Sequence, residues 1–244
     1  MPRVNLTDKT AIVTGAGRGI GRAVAVAMAA RGARVMLNAR SYDALRETLR
    51  LIGDAGGEAD MYAGDLGAPE AMSGLAAFAR ERFGGLDIVV AAGGMLGPRL
   101  PLEDYPVADW QRVLDVNLTG VFTLVQASVP LMRERGGGSI ILVSSGVGRV
   151  GRAGWGAYAV SKFGIEGLCQ ILADEGAPHR IRANCVNPGP TRTAMRAAAE
   201  PDEDPATLPT PDDIVPVFLY LASDLSADTT GRSMDARDWM GKDL

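Results

Sequence analysis

The feature that most restricts how this chain can fold is a rhythm. Short, almost purely apolar runs alternate with stretches of helical period from one end to the other. Strand-like runs lie at 10–14, 34–38, 87–92, 139–144 and 182–186, with a weaker one at 59–63. Helical patterns fill the intervals at 19–30, 42–53, 69–83, 107–133, 156–175 and 211–222. Strand followed by helix, repeated, implies right-handed crossovers between parallel strands and helices on both faces of one sheet. Segments 88–92 and 140–143 carry no polar residue, as strands covered on both sides require. The expectation is an α/β fold: a doubly wound, three-layer sandwich with a mostly or wholly parallel central sheet.

Two segments break the rhythm. Residues 93–106 are rich in Gly and Pro, and 200–211 (EPDEDPATLPTP) are acidic, Pro-rich and expected to be mobile. Neither reads as a linker, because strand and helix resume directly afterwards. No internal repeat is found, so a single domain over 1–244 is expected.

Charge and composition exclude several classes of function. The net charge is −4 and no basic block occurs, which argues against nucleic acid or an anionic membrane as partner. Cys169 and Cys185 sit in apolar runs and His179 is the one histidine, leaving little material for a structural zinc site, a disulfide framework or Ser-His chemistry. The N-terminal Met1-Pro2-Arg3 lacks an apolar core behind its basic residue. No run approaches the ~18 apolar residues of a membrane span. A cytoplasmic protein is expected.

The first strand ends in Thr14-Gly15-Ala16-Gly17-Arg18-Gly19-Ile20-Gly21, which also opens the first helix. A glycine-rich turn there lets backbone approach a pyrophosphate, while the helix N-terminus offers free N–H groups and positive potential. This places a Rossmann-type dinucleotide site at Gly15, Arg18, Gly19, Ile20 and Gly21. The second strand ends in Asn38-Ala39-Arg40-Ser41, without a carboxylate for a ribose 2′-hydroxyl. Arg40, with Arg18, suits a 2′-phosphate, so NADP(H) is preferred and NAD(H) remains possible.

Tyr158 and Lys162 stand four residues apart in a helical stretch and share a face. A free phenol has a pKa near ~10; a neighbouring ammonium favours the phenolate and makes tyrosine a usable acid-base group. Ser144 and Ser145 end a buried strand, and Asn117 is a polar residue in apolar surroundings.

The ordered set of glycine-rich turn, Asp65-Leu66, Asn117, Ser145, Tyr158-x-x-x-Lys162 and Asn187-Pro188-Gly189 resembles the short-chain dehydrogenase/reductase family over nearly the whole chain, and within it the 3-oxoacyl-carrier-protein reductase-like members. The resemblance implies that Tyr158 donates a proton to a carbonyl oxygen and that Lys162 binds the nicotinamide ribose and lowers the tyrosine pKa. It implies that Ser145, thirteen residues before the tyrosine, polarises the carbonyl and that Asn117 holds a proton-relaying water. Asp65 and Leu66 would contact the adenine, Ala92 and Gly93 would line the cofactor's path, and Pro188, Gly189 and Thr191 would meet the nicotinamide. A homodimer or homotetramer is implied, paired through the helices at 107–133 and 156–175.

The chain departs from the family pattern twice. Ala91-Ala92-Gly93-Gly94 stands where Asn-Asn-Ala-Gly is usual, and Ser233-Met234-Asp235-Ala236-Arg237-Asp238-Trp239 replaces a segment that commonly carries a Gly-Gly pair. The substrate cleft would be lined by Met95, Leu96, Arg99, Val147, Arg149, Arg152, Trp155, Thr193, Met195 and Arg196, apolar with scattered arginines. One reading is an apolar carbonyl compound with an anionic group, such as an acyl chain on a carrier; the other leaves those arginines in solvent. The leading expectation is an NADPH-dependent ketoreductase acting on a small-molecule carbonyl. Its alternatives are an NAD(P)-dependent alcohol dehydrogenase running oxidatively and a non-catalytic NADP-binding module.

Overall fold

The computed structural model describes residues 4–244. Seven parallel strands form one sheet in the order β3-β2-β1-β4-β5-β6-β7. They are β1 (Thr10–Thr14), β2 (Arg34–Ala39), β3 (Glu58–Ala63), β4 (Ile88–Ala91), β5 (Gly138–Val143), β6 (Ile181–Asn187) and β7 (Ser233–Asp235). The order reverses between β1, which pairs with β2, and β4, which also lies against β1. Such a reversal opens a crevice at the carboxyl ends of the strands, where ligands of open α/β sheets bind.

The apolar runs alternate sides even though both sides are buried. Ala11, Val13, Val35, Leu37, Ile88, Val90 and Ile141 pack with α1 (Gly19–Ala29), α2 (Tyr42–Asp54) and α8 (Val215–Ala222). Ile12, Met36, Val89, Ile140 and Leu142 pack on the opposite face with α3 (Pro69–Phe83), α5 (Gly120–Glu134) and α6 (Gly156–Gly176). These two clusters are the cores of a three-layer sandwich, and Phe218 of α8 is fully buried in the first.

Four differences from the sequence expectation matter. The helical pattern at 107–133 is α4 (Val107–Leu114) and α5 joined by a π-helical turn at Asp115–Thr119, where the Gly120 N–H reaches back to the Asp115 carbonyl. Such widened turns leave one carbonyl outside the usual ladder and cluster at functional sites. The continuous run 107–134 is also long and apolar enough by composition to cross a bilayer, with half its most apolar window buried inside the protein as in a core helix. Asp115 and Asn117 interrupt the run and hide that length in the sequence. The pattern at 211–222 is a 3₁₀ turn at Asp212–Ile214 followed by α8. Finally, β7, in the segment the resemblance sets against the family's last strand, and a six-residue α7 (Ala194–Ala199) carry no periodic signal of their own.

The acidic segment expected to be mobile is tied down by arginines. Arg192 donates to the Pro205 and Leu208 carbonyls at 2.8 and 3.2 Å. Arg196 holds Glu203 through two bonds of 2.5 and 2.7 Å.

Candidate active site

A cavity of about 640 Å³ lies over the carboxyl ends of β1, β4, β5 and β6. It brings together most residues singled out from the sequence: Gly15, Arg18, Gly19, Ile20 and Gly21 on one side, Ala92 and Gly93 in the middle, and Ser145, Tyr158, Lys162, Pro188, Gly189 and Thr191 on the other. Arg40, Asp65, Leu66 and Asn117 lie outside its wall.

Close backbone approach builds the first side. Gly15 has φ +66°, and a Cβ there would sit 2.7 Å from the Gly93 Cα. A Cβ on Gly21 would lie 2.4 Å from the Gly15 carbonyl oxygen. No larger residue fits either place without backbone movement. The Gly93 N–H donates to the Thr14 hydroxyl at 3.1 Å, so a threonine side chain fixes the loop that asparagines fix in the usual pattern. Arg18 caps α1 without a side-chain hydrogen bond, and it and Arg40 are exposed. Neither belongs to any ion pair among the described residues, which leaves both charges free for a phosphate.

Asp65 and Leu66 brace this side from behind. The Asp65 carboxylate accepts from the Gly67 N–H at 2.9 Å and pairs with Arg112. Partial burial would raise its pKa, but the Gly67 bond, Arg112 and, least of the three, the Arg40 charge hold it below the usual carboxylate range. Leu66 packs where a Cβ on Gly93 would be, and its carbonyl lies against Gly120 at the start of α5.

Asn117 sits on the π-helical turn and is fully buried. Its Oδ1 accepts from the Met95 N–H at 2.8 Å, and its Nδ2 donates to the Met95 carbonyl at 2.9 Å and to the Ser161 hydroxyl at 3.1 Å. Its side chain is therefore spent on fixing the loop after β4 against α6.

The second side is chemical. Tyr158 and Lys162 lie one turn apart on α6, and both are buried. Lys162 Nζ lies 5.6 Å from the Tyr158 ring centroid and donates to the Val143 carbonyl at 2.7 Å. Burial lowers the Lys162 pKa to about 8, with Cys185 and Glu166 pulling the other way. The Tyr158 phenol differs from expectation: burial raises its pKa, and the neighbouring Ser145 hydroxyl draws it only partly back. A buried ammonium that is itself easily deprotonated, and bonded to a carbonyl, does not overcome the desolvation of a phenolate. The phenol is thus held protonated at neutral pH.

Ser145 caps the 3₁₀ turn Gly146–Gly148 and accepts from the Val147 N–H at 3.4 Å. Ser144, also in the cavity wall, has a buried hydroxyl without a partner. An orphaned polar atom there fits a ligand with hydrogen-bonding groups of its own. The turn after β6 is fixed by Asn187, whose Oδ1 accepts from the Gly189 N–H at 3.1 Å. Asn187 also donates to Asp235 at 2.6 Å, and Asp235 takes two bonds from Arg149 at 3.0 and 2.9 Å. The departure at 233–239 therefore supplies a side-chain brace for the turn.

The expected substrate lining divides. Leu96, Val147, Arg152, Trp155, Thr193, Met195 and Arg196 line the cavity, whereas Met95, Arg99 and Arg149 do not. The arginines are mostly engaged: Arg99 with Glu200, Arg149 with Asp235 and Arg196 with Glu203. Arg152 alone of the four belongs to no ion pair among the described residues and is exposed.

Comparison with known proteins agrees with this geometry. The family model described as short chain dehydrogenase matches residues 9–204. The oxidoreductase YciK of Escherichia coli (strain K12) is 43% identical over 235 residues, covering 95% of this chain and 93% of its own. Cyclohexanol dehydrogenase of Acinetobacter sp. (strain SE19) is 32% identical, covering 92% and 91%. A solved short chain dehydrogenase of Shigella flexneri 2a, complexed with NADP, superposes with a TM-score of 0.92 at 42% identity, covering 96% of this chain and 99% of that one. The sheet order, the glycine turn over its switch point and these likenesses lead to one conclusion: the chain belongs to the short-chain dehydrogenase family and is an oxidoreductase.

Proposed function

We propose that this enzyme is an NADP(H)-dependent ketoreductase in which Tyr158 protonates the oxygen of a small-molecule carbonyl substrate. One observation carries the reading: a buried, protonated phenol, the Ser145 hydroxyl and a cationic lysine share one cavity with a glycine turn built for close backbone approach. The residues present fit a phosphorylated dinucleotide. Gly15, Gly19, Ile20 and Gly21 offer the backbone cradle, and Arg18 with Arg40 offers unpaired charge for a 2′-phosphate. The NADP complex of the Shigella flexneri relative supports that cofactor; NAD(H) would lack the phosphate that Arg40 is placed to meet. Asp65 and Leu66 would border the adenine end, with Ala92 and Gly93 between, and Pro188, Gly189 and Thr191 would border the nicotinamide end.

When bound, NADPH supplies a hydride to the carbonyl carbon. The chain's own residues manage the oxygen. Ser145 holds it by a hydrogen bond, Tyr158 gives it a proton, and the Lys162 ammonium stabilises the charge left on the phenol. Asn117 keeps the loop after β4 and the widened helical turn in place behind Lys162. The same residues serve alcohol oxidation, so the cofactor ratio sets direction. The exposed Phe122 on α5 and the exposed Val160, Phe163 and Ile171 on α6 support pairing with a second copy through these helices; Phe163→Glu should halve the particle size seen by light scattering, and an unchanged size would refute the pairing.

The test is a panel of apolar ketones with NADPH and with NADH, followed at the nicotinamide absorbance. Reduction of at least one ketone, faster with NADPH, is expected. No turnover of any carbonyl or alcohol with either cofactor would overturn the proposal.

A further inference from the structure

We infer that Arg99 is a positioning residue whose guanidinium clasps α7 over the Tyr158 pocket and so holds the substrate side of the site closed. The inference rests on the reading that substrate enters this cavity. Arg99 lies in the loop after β4, outside any helix or strand. Its Nε donates to the Gly154 carbonyl at 2.9 Å, and its Nη1 donates to the Ala199 carbonyl at 3.0 Å and to Glu200 Oε1 at 3.3 Å. Its guanidinium carbon sits 4.0 Å from the centroid of the Trp155 ring. That ring in turn packs 5.8 Å from the Tyr158 ring at a 46° tilt. One planar cation thus joins the loop after β4, the loop before α6 and the far end of α7.

The other polar ties of α7 are internal. Among the described residues, every other hydrogen bond made by residues 194–200 stays within 193–203, including Arg196 with Glu203. Those bonds stiffen the segment without anchoring it. Met195 adds an apolar contact with the cluster around Tyr158. Arg99 is therefore the polar anchor from outside, and it takes one of the carbonyls that a helix end leaves unpaired. Its side chain is 30% exposed, so each bond is individually breakable. Release of Ala199 and Glu200 frees α7, while the glycine cradle for the dinucleotide stays untouched. A lysine cannot substitute, because the clasp needs a flat fork that both stacks and bonds in two directions.

Tryptic cleavage after Arg192 and Arg196 reports opening of this segment without reference to catalysis. In NADPH-saturated protein, Arg99→Ala should speed cleavage at these bonds about fivefold or more. Arg99→Lys should behave more like alanine than like arginine. The KM for a reducible ketone should rise about tenfold while the Kd for NADPH changes less than about twofold. Equal cleavage rates in all three proteins would overturn the inference, as would faster cleavage with an unchanged KM. Should Arg99→Ala fail to fold, Arg99→Lys carries the comparison. If no ketone is turned over even by the wild type, the ketoreductase reading fails, and the cleavage rates still decide whether Arg99 holds α7.

Discussion

The two halves of the cavity are held by opposite means. The dinucleotide half is shaped by missing side chains: Gly15, Gly21 and Gly93 let three stretches of backbone meet at distances that a Cβ would forbid. The substrate half is shaped by long side chains, with Arg99, Arg149, Arg192 and Arg196 reaching across loops to carbonyls and carboxylates. Backbone packing has no intermediate states, whereas exposed ion pairs separate at small cost. The difference teaches that the first half has no slack to give, whereas the second depends on contacts that can be broken one at a time.

Variants on the two sides should behave accordingly. Gly15→Ala strikes the rigid half hardest. Its Cβ would press 2.7 Å from the Gly93 Cα at a φ of +66°, and the Kd for NADPH by fluorescence titration should rise by about 100-fold, equivalent to about 2.7 kcal/mol. Unchanged binding would show that the turn flexes.

Lys162→Met separates chemistry from stability. Activity should be lost, yet the ligand-free protein should be more stable at pH 7. The folded-state pKa, about 8, lies below the ordinary 10.5, so burying the ammonium is unfavourable, by up to about 3 kcal/mol. That penalty is full below pH 8 and fades as pH rises through 10.5, above which the lysine is neutral folded or unfolded. The variant's Tm should therefore exceed the wild type's by up to about 6–12 °C at pH 7 and converge on it above pH 10.5. A lower Tm at pH 7 would mean that the bond to Val143 outweighs the desolvation.

Arg40→Asp acts at the rim of the rigid half. Loss of a charge-assisted contact, worth about 1.5–3 kcal/mol, should raise the KM for NADPH about tenfold more than that for NADH. An unaltered ratio would place the 2′-phosphate elsewhere. The smallest effect belongs to Glu203→Gln, which weakens a pair internal to the α7 segment. It should change the substrate KM less than about twofold, and a change as large as that of Arg99→Ala would erase the distinction between stiffening α7 and anchoring it.

The rigid half was largely legible in the sequence because its signals are local. A glycine turn between a strand and a helix needs no knowledge of distant residues, and on the substrate side the same holds for Tyr158 one turn from Lys162. The rest of the substrate half was not. Arg99 finds its partners 55, 100 and 101 residues away, and no spacing rule announces a pairing of that range. The arginines expected to meet an anion or solvent mostly meet the chain's own carboxylates. Strand β7 has no periodic signal because Ser233 is exposed, Met234 and Asp235 are half-buried and no apolar run is present, yet its Asp235 braces the turn that Asn187 begins. The π-helical turn at Asn117 has no local signature either. It is visible once α4 and α5 are seen to continue as one helix.

The measurement that bears most directly on the account is a comparison of Tyr158→Phe with wild type in two assays, NADPH affinity and single-turnover ketone reduction. The variant should bind NADPH within about twofold of wild type while its reduction rate falls by about 100-fold or more, the contribution of a positioned proton donor. Reduction at an undiminished rate would contradict the assignment of Tyr158 as the acid.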